Sequence, residues 1–365
     1  MADKLIIYDD IEDIKAKEFC EKFIYHKDVK KYLFGRNVYA NDILKQIEID
    51  GFIDDFYTEK YYLNKQVFRL EDVEKDSLVL VLSSGRVKSA IKRVKSFGLE
   101  VLDYFAFYKY SGLQLKEILF NEGFKSEFNK NRSRFEAIYN ILSDDISKKN
   151  FLNLVNFKLS YDIKYLQEFK YLEDKQYFED FLGLQNVGEV FLDIGGYDGF
   201  TSEEFIKRCP NYKAVHIFEP DLNNLEKAKE RLNNYENINF YDTGLSNVKD
   251  ILKFDIGGSA SKISEDGNIE IKVDRLDDII GNNEVTFIKM DIEGAEIMAI
   301  EGAEKTILNN HPKMALSVYH KPEDFYKIPE KIFSLRNDYK IYLRHYTESI
   351  YETIMFFIPI EKNEV

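Results

Sequence analysis

The sequence predicts an α/β protein with two Rossmann-like units, a smaller one over residues 1–130 and a larger one over residues 181–365, joined by a helical segment at 131–180. The first observation is length, because 365 residues exceed one ordinary α/β domain. The second is a series of apolar runs of strand length that lack polar alternation, as parallel strands covered by helices do. The third is the polar or glycine-containing turn that ends several of these runs.

The smaller unit contains one βαβ motif. Residues 77–82 predict a buried strand, residues 86–97 predict a helix, and residues 100–104 predict the next strand. Gly85 is the single glycine of the first turn, where a phosphate-binding loop needs several, so we expect no bound nucleotide. The tyrosine- and phenylalanine-rich segments at 20–70 either cover this sheet or form the interface of a homo-oligomer, and the sequence leaves both possibilities open.

In the larger unit, the apolar run 190–193 leads into a glycine turn that carries two acids. The turn reads D-x-G-G-x-D-G, whereas a dinucleotide-binding fingerprint reads G-x-G-x-x-G. Two carboxylates disfavour a pyrophosphate and favour a cationic ligand such as S-adenosylmethionine, which carries a sulfonium and an ammonium group. Thr201 or Ser202 can cap the helix that follows at Glu203. The predicted cofactor contacts of this turn are Asp193, Gly195, Gly196, Asp198, Gly199 and Thr201.

Two further strands end in acids that suit the same ligand. Residues 214–218 lead into Glu219, which is placed to accept hydrogen bonds from both hydroxyls of a ribose. Residues 238–241 lead into Asp242, which is suited to accept from an adenine amino group. The alternative is an NAD-binding domain or an acid that caps a turn, and the acids of the glycine turn disfavour it.

The remaining strands predict a mostly parallel, seven-stranded sheet with an antiparallel hairpin at its end. Residues 285–291 and 313–320 predict the fourth and fifth strands. Residues 339–345 and 353–359 predict two late strands with only a short connection between them. A sheet that ends in a reversing hairpin is typical of class I methyltransferases and not of NAD-binding domains.

Five sequence pieces carry a family resemblance. They are DIGGYDGFTS (193–202), IFEPD (217–221), GGSASKISEDGNIEIKVDRLDDI (257–279), FIKMDIEGAE (287–296) and YHKPEDFYKIPEKI (319–332). Many class I methyltransferases share the first two, whereas the last three, in this order and near this spacing, are more specific. On these pieces, the chain from about residue 144 to 359 resembles FkbM-type S-adenosylmethionine-dependent methyltransferases, which mostly methylate hydroxyl groups. Gly244 departs from the alanine expected there, and this bears only on the adenine contact.

Methyl transfer to a hydroxyl needs a positioned acceptor oxygen and a base for its proton. His320 ends the fifth strand within a family-specific piece and is the predicted base, because a histidine pKa near 6.5 suits neutral pH. Asp291 is the second predicted catalytic residue, and Lys289, Glu293 and His345 are predicted to bind the acceptor. For Asp291 the alternative is a cap on the following helix, and for His345 it is a surface residue at a strand end.

Composition and charge exclude several other classes. The net charge of −14 argues against a nucleic-acid or anionic-membrane partner. Cys20 and Cys209 lack zinc-site spacing, and we expect no metal, although Asp291 and Glu293 could bind Mg²⁺ through oxygen. Because no apolar run approaches the ~20 residues of a membrane span and no signal peptide is evident, we expect a cytoplasmic protein without membrane insertion.

These observations predict an O-methyltransferase that acts on a hydroxyl of a sugar or sugar-like small molecule or glycan, for a surface polysaccharide or a secondary metabolite. The substrate class follows from the resemblance alone. The alternative is a non-catalytic assembly protein that binds S-adenosylmethionine or a nucleotide and recruits partners through its N-terminal unit. The presence of Asp193, Glu219 and His320 favours the enzyme, whereas a cleft closed by phenylalanine or tyrosine side chains would favour the alternative.

Overall fold

The computed structural model describes residues 5–9, 11–83, 85–172, 175–257, 260–263 and 269–360. The sequence piece at 257–279 therefore lies partly outside the described residues. Over the described ranges, no helix combines the length and the apolar character that crossing a membrane requires.

The N-terminal part folds around a mostly parallel sheet. Its strands are β1 (Lys31–Phe34), β2 (Gly51–Ile53), β3 (Tyr61–Tyr62), β4 (Lys65–Phe68), β5 (Leu78–Val81) and β6 (Glu100–Asp103). They pair in the order β3-β4-β2-β1-β5-β6, and only β3 and β4 run antiparallel among these described strands. The helices of this part are α1 (Ile14–Tyr25), α2 (Ala40–Leu44), α3 (Val87–Ser96) and α4 (Tyr104–Tyr110). The predicted βαβ motif is confirmed as β5, α3 and β6.

Two longer helices, α5 (Phe124–Ile141) and α6 (Asp145–Ser160), separate the two sheets along the chain. Asp144 caps α6, because its carboxylate accepts a hydrogen bond from the backbone N–H of Ser147. In the middle of α5, the ring of Phe135 packs against Tyr326 of the C-terminal part, with ring centres 5.2 Å apart. These helices therefore pack against the second sheet's layer rather than forming a free linker.

The C-terminal part contains the predicted seven-stranded sheet. Its strands are β7 (Val190–Ile194), β8 (Ala214–Phe218), β9 (Ile238–Tyr241), β10 (Gly244–Leu245), β11 (Asp250–Gly257), β12 (Ala260–Ile263), β13 (Ile269–Asp274), β14 (Phe287–Met290), β15 (Lys313–Ser317), β16 (Tyr339–His345) and β17 (Thr353–Pro359). The main sheet has the order β16-β17-β15-β14-β7-β8-β9. β17 is antiparallel to both of its neighbours, and the other neighbours are parallel, so the terminal hairpin is confirmed.

A small sheet with the order β10-β13-β11-β12 is inserted between β9 and β14, and the sequence analysis did not predict it. Ile271 and Val273 alternate with Glu270 and Lys272, and this alternation is the signal that indicates a half-exposed strand. The helices of the C-terminal part are α7 (Phe200–Arg208), α8 (Leu222–Arg231), α9 (Leu276–Ile280), α10 (Glu296–Gly302), α11 (Glu304–Asn310) and α12 (Asp324–Leu335).

The main sheet is buried on both faces, as its unbroken apolar strands predict. On one face, a continuous cluster of buried apolar side chains includes residues of the N-terminal sheet, α5 and α6. On the other face, the ring of Phe191 stacks between Phe205 and Phe287, at 4.4 and 5.0 Å between ring centres. The carboxyl ends of β7, β8, β14 and β15 therefore meet at one free edge, where open α/β sheets bind ligands.

Candidate active site

A cavity of about 890 Å³, the main cavity, lies at this carboxyl edge. Its walls include residues 194–198 after β7, residues 218–221 after β8 and residues 291–293 after β14. An apolar wall from the small sheet consists of Leu245, Leu252, Ile271 and Val273. The predicted cofactor residues that line the cavity are Gly195, Gly196, Asp198, Thr201 and Glu219. Phenylalanine and tyrosine side chains therefore do not close the cleft, which was the condition that would have favoured the non-catalytic alternative.

Gly195 has a φ of +81°, and a Cβ atom there would collide with the carbonyl oxygen of Asp291. Only glycine fits, because the neighbouring strands β7 and β14 bring the two backbones into contact. Gly199 does not appear in the cavity wall; it is the N-cap residue of α7, with a φ of +79°. The predicted cofactor contact of Gly199 is therefore replaced by a structural role.

The helix after the glycine turn begins at Phe200, three residues earlier than predicted, and neither Thr201 nor Ser202 caps it. Instead, Asp198 accepts a hydrogen bond from the backbone N–H of Phe200 at 3.1 Å. Asp198 is also paired with Arg231 at 2.6 Å, so its charge is already compensated at the rim of the cavity.

Asp193 does not contact the main cavity and is fully buried beside Lys289. The two side chains lie on paired positions of β7 and β14, and Lys289 Nζ is 3.1 Å from Asp193 Oδ1. The Ser202 hydroxyl donates to Asp193 at 2.6 Å. Asp193 is therefore a buried partner of Lys289, because strand pairing points it beneath the turn rather than into the cavity. Lys289 lines the cavity, and its contact with the acceptor stays a prediction.

Glu219 is 8% exposed and lies in the cavity wall at the end of β8. Its carboxylate accepts hydrogen bonds from the backbone N–H groups of Tyr197 and Asp221, both at 2.9 Å, which fix its orientation. Burial raises the pKa of Glu219. Asp242 is different: it is exposed, lies 3.4 Å from Lys272 and is not part of the cavity wall. A little further along the chain, the apolar residue Leu245 of the small sheet does line the cavity.

His320 is buried among carboxylates. Its Nδ1 is 2.9 Å from Glu296 Oε1, and its Nε2 is 3.2 Å from Asp291 Oδ1 and 3.7 Å from Glu293 Oε2. Burial opposes a charged ring, but the carboxylates of Glu296 and Asp291 outweigh it and hold the pKa of His320 well above its usual value. A protonated imidazole cannot accept a proton, so these surroundings argue against the predicted role of His320 as the base.

Asp291 lines the main cavity and does not cap a helix. α10 begins only at Glu296, whose carboxylate accepts from the backbone N–H of Ile292 at 3.0 Å. The hydroxyl of Tyr177 donates to Asp291 Oδ2 at 2.6 Å. Burial works against ionisation, but His320 and Lys289 nearby hold the pKa of Asp291 below its usual range. Asp291 is therefore an ionised carboxylate in the cavity wall.

Two glutamates beside Asp291 have left-handed backbones, which are uncommon for non-glycine residues. Glu293 has a φ of +56°, and Glu352 has a φ of +60°. Burial, followed by the negative charge of Asp291, raises the pKa of each to about 7. The sequence analysis missed Glu352, because it lies in the short connection between β16 and β17 and carries no local motif.

A second cavity of about 290 Å³ adjoins the first. The two cavities share Gln176, Glu293, Tyr319 and Glu352. The remaining lining residues of the second cavity are Gly85, Phe120, Tyr171, Tyr346, Thr347 and Tyr351. Gly85 follows β5 of the N-terminal sheet, and its carbonyl accepts from the backbone N–H of Glu348 at 3.0 Å. The turn after β5 therefore belongs to the site that the second sheet forms.

His345 lies apart from both cavities, in contrast to its predicted role as an acceptor contact. It is buried, its Nδ1 is 2.9 Å from the hydroxyl of Thr353, and its ring packs on Phe169 at 4.4 Å. Burial lowers its pKa to about 3. The reason is strand order: β16 is the edge strand, separated from β15 by β17, which places the strand ends about 10 Å apart.

Comparison with known proteins decides the family of this site. Residues 193–341 match the family model of the Methyltransferase FkbM domain. The chain carries an FkbM methyltransferase domain. The crystal structure of Methyltransferase FkbM from Methylobacillus flagellatus KT is similar over 94% of this chain and 93% of that chain, with a TM-score of 0.73 and 22% identity. This likeness shows that the fold of the FkbM domain and of the N-terminal part is shared.

Two further solved structures resemble about half of the chain. One is an rRNA methylase from Streptococcus thermophilus, with 15% identity over 50% of this chain and 93% of that chain and a TM-score of 0.35. The other is fibrillarin from Aeropyrum pernix with bound S-adenosyl-L-methionine, with 11% identity over 47% and 67% and a TM-score of 0.32. TM-scores below 0.5 do not establish a shared fold.

The FkbM domain confirms the predicted family and the predicted α/β methyltransferase fold. Residues 193–341 are a methyltransferase domain, and S-adenosylmethionine is its cofactor. The main cavity fits such a group in size, since ligand sites of this kind occupy about 300–1,000 Å³. It also fits in chemistry, since it combines a glycine turn, the buried acid Glu219 and an apolar wall.

Proposed function

We propose that the chain is an S-adenosylmethionine-dependent O-methyltransferase that acts on a hydroxyl of a sugar or sugar-like small molecule. The observation that supports it is the shared wall between the two cavities. On this wall Glu293 and Glu352 face both spaces. A cofactor in the main cavity and an acceptor in the second cavity would meet there, with carboxylates at the meeting point.

In the main cavity, Glu219 would hold the ribose and the backbone of Gly195 and Gly196 would pass beneath the methionine end. The carboxylate of Glu219 keeps acceptor capacity after its two backbone hydrogen bonds, because two oxygens offer about four lone-pair sites. Leu245 and Val273 offer an apolar surface for the adenine ring. When bound, S-adenosylmethionine supplies an electrophilic methyl group, and the protein supplies position and a base.

The second cavity suits a ring that is apolar on its faces and polar at its edges. Aromatic rings line it, and Gln176 adds an amide that can both donate and accept hydrogen bonds. The face of a sugar ring can pack on the aromatic side chains while its hydroxyls bond to the amide and the carboxylates. Both Lys289 and Asp291 lie in the adjoining wall; Lys289 remains a proposed acceptor contact and Asp291 a proposed catalytic residue.

We assign the base to Glu352 rather than to His320. The carboxylate of Glu352 accepts from the Tyr319 hydroxyl at 3.3 Å and from the Gln176 amide, and these contacts orient it on the shared wall. A general base is most effective when its pKa lies near the working pH, and burial raises that of Glu352 to about 7. The proton of the acceptor hydroxyl would pass to Glu352.

Calorimetry on Glu219→Ala tests the cofactor site. We expect the variant to lose about 1–3 kcal/mol of binding free energy for S-adenosylmethionine, the range for a hydrogen bond to a charged group. Asp242→Ala is the matched control, because this acid also ends a strand of the sheet but lies outside the cavity wall. Equal losses in both variants, or equal binding of NAD and S-adenosylmethionine by the native protein, would contradict the assignment.

Methyl transfer from radiolabelled S-adenosylmethionine to a panel of free and nucleotide-linked sugars tests the acceptor class. Incorporation into sugars that lack amino and carboxyl groups, and that survives alkaline hydrolysis, supports methylation of a hydroxyl. Transfer only to amines or carboxylates would overturn it while leaving the methyltransferase assignment intact.

A further inference from the structure

The contacts of His320 are short but badly aligned for hydrogen bonds. The side chain is 1% exposed, and its two ring nitrogens lie 2.9 Å from Glu296 and 3.2 Å from Asp291. In the described part of the chain, neither ring nitrogen has a partner that meets hydrogen-bond geometry. Oε2 of Glu296 also lacks a donor. Buried polar atoms are normally satisfied, so this group of unsatisfied atoms needs an explanation.

Ligands of one metal ion have this geometry. Two ligand atoms at right angles, each about 2.1 Å from an ion, lie about 3.0 Å apart, and each is about 45° off the axis of the other's metal bond. The 3.2 Å between Nε2 of His320 and Oδ1 of Asp291 matches such a pair. The 2.9 Å contact of Glu296 is to Nδ1, on the other side of the ring, and the imidazole would bind the ion through one nitrogen only. One ligand atom from each of Asp291, Glu296 and His320 lies within 4.8 Å of the other two, so a single central ion can reach all three.

The local charge also favours a cation. Asp291, Glu293 and Glu296 surround the ring of His320. Two ammonium groups lie nearby: Lys289 is already paired with the buried Asp193, and Lys321 donates to the carbonyl of Gly294. Buried charges in proteins are generally paired or coordinate metals. A divalent ion would neutralise part of the negative charge that the side chains leave uncompensated.

We propose that Asp291, Glu296 and His320 bind a divalent cation at the edge of the main cavity. A set of one imidazole and two carboxylates suits Mn²⁺ better than Mg²⁺ or Ca²⁺, which prefer oxygen ligands alone. In the metal-bound state the ring of His320 is neutral, because the ion takes the place of a ring proton. Asp291 lines the main cavity next to Glu293 of the shared wall, so the ion would lie beside the place where the proposed function brings cofactor and acceptor together, within reach of the acceptor oxygen that it would polarise.

Titration of MnCl₂ into the full-length protein after removal of metals with EDTA tests the site without any turnover. Free Mn²⁺ is followed by electron paramagnetic resonance, and heat is followed by calorimetry. We expect one saturable site per chain, with affinity weakened at least tenfold in Glu296→Gln and in His320→Asn. His311→Ala is the matched control, because His311 also lies 3.2 Å from a carboxylate, that of Asp338, at a more exposed position. It should keep native affinity.

Circular dichroism and S-adenosylhomocysteine binding establish that each variant is folded. Absence of saturable Mn²⁺ binding to the native protein, or native affinity in folded Glu296→Gln, would overturn the proposal. These outcomes are separate from failure of the proposed function, which is read from S-adenosylmethionine affinity and methyl incorporation.

Discussion

At the scale of single residues, Glu352 shows how surroundings change the chemistry of a carboxylate. The titratable and polar groups that face it come from several elements and are Asp291, Glu293, His320, Tyr177, Tyr319 and Gln176. Burial is the largest influence and raises its pKa; the charge of Asp291 adds to the effect, and Gln176 and His320 oppose it. With a pKa of about 7, the residue can take a proton and release it again near neutral pH.

We expect Glu352→Gln to lower kcat by roughly 10²–10⁴-fold, the range for a general base, with S-adenosylmethionine affinity nearly unchanged. Native kcat/KM should rise with pH through about 7, as Glu352 ionises, and the variant should lack this rise. Glu348→Gln is the control, because Glu348 lies in the same connection but accepts from Ser89 and lines neither cavity. If Glu352→Gln kept native turnover and the rise of kcat/KM with pH, the base would have to be another group.

The raised pKa of Glu352 also predicts that the stability of the fold depends on pH. Folded Glu352 keeps its proton up to a pKa of about 7, whereas the unfolded chain releases it near 4.5. Its contribution to stability is therefore full below pH 4.5 and is lost as the pH rises through 7. Urea unfolding should show Glu352→Gln more stable than native at pH 8 and close to native at pH 4.5.

At the scale of elements, the register between β7 and β14 decides the role of two charged residues. Asp193 and Lys289 occupy paired positions, and both are buried. The sequence predicted ligand contacts for both, whereas the pairing gives Asp193 a fixed partner and leaves only Lys289 in the cavity wall. Lys289 also donates to the carbonyl of Gly195 at 2.5 Å, so the pair ties the glycine turn to the sheet.

Breaking this pair should destabilise the fold strongly. We expect Lys289→Met to lose about 3–5 kcal/mol in chemical unfolding, because it leaves the buried charge of Asp193 uncompensated. Adding Asp193→Asn should restore part of the loss. The control is Lys213→Met, which removes an exposed pair with Glu284 and should change stability by less than about 1 kcal/mol. Equal losses of unfolding free energy in the two lysine variants would show that the buried pair stabilises the fold no more than an exposed pair does.

At the scale of the whole molecule, the two sheets share one continuous apolar core through α5 and α6. α6 is also bonded to the edge strand of the second sheet: the Ser147 hydroxyl accepts from the backbone N–H of Leu343 at 2.8 Å, and Arg344 pairs with Asp144 at 2.7 Å. The sequence suggests a domain boundary at residue 181. A boundary there would separate α6 and Asp144 from β16, with which they make these contacts.

We therefore expect a truncated chain of residues 181–365 to lack cooperative thermal unfolding, whereas residues 121–365, which keep α5 and α6, should retain it. The reason is that β16 is an edge strand and needs α6 to cover its apolar face. Near-ultraviolet circular dichroism during heating measures the difference. A cooperative transition in the shorter chain would support the boundary at 181 and would make the helices dispensable.

Features that depend on neighbouring residues were determined by the sequence itself. The strands at 190–194 and 353–359, the glycine turn and the position of Glu219 at a strand end follow from apolar runs, turn residues and spacing. These signals are local, because a strand's period and the backbone freedom of glycine act over a few residues. The terminal hairpin followed in the same way from two strands with a short connection.

Only the tertiary structure decided which distant residues meet. Lys289 as the partner of Asp193, Glu352 on the shared wall, Gly85 in the second cavity and the remoteness of His345 depend on strand order and on packing between the two sheets. A sequence pattern gives the face and the end of a strand to which a residue belongs. It does not give the neighbour across the sheet, because that pairing is set by the burial of the whole core rather than by any single segment.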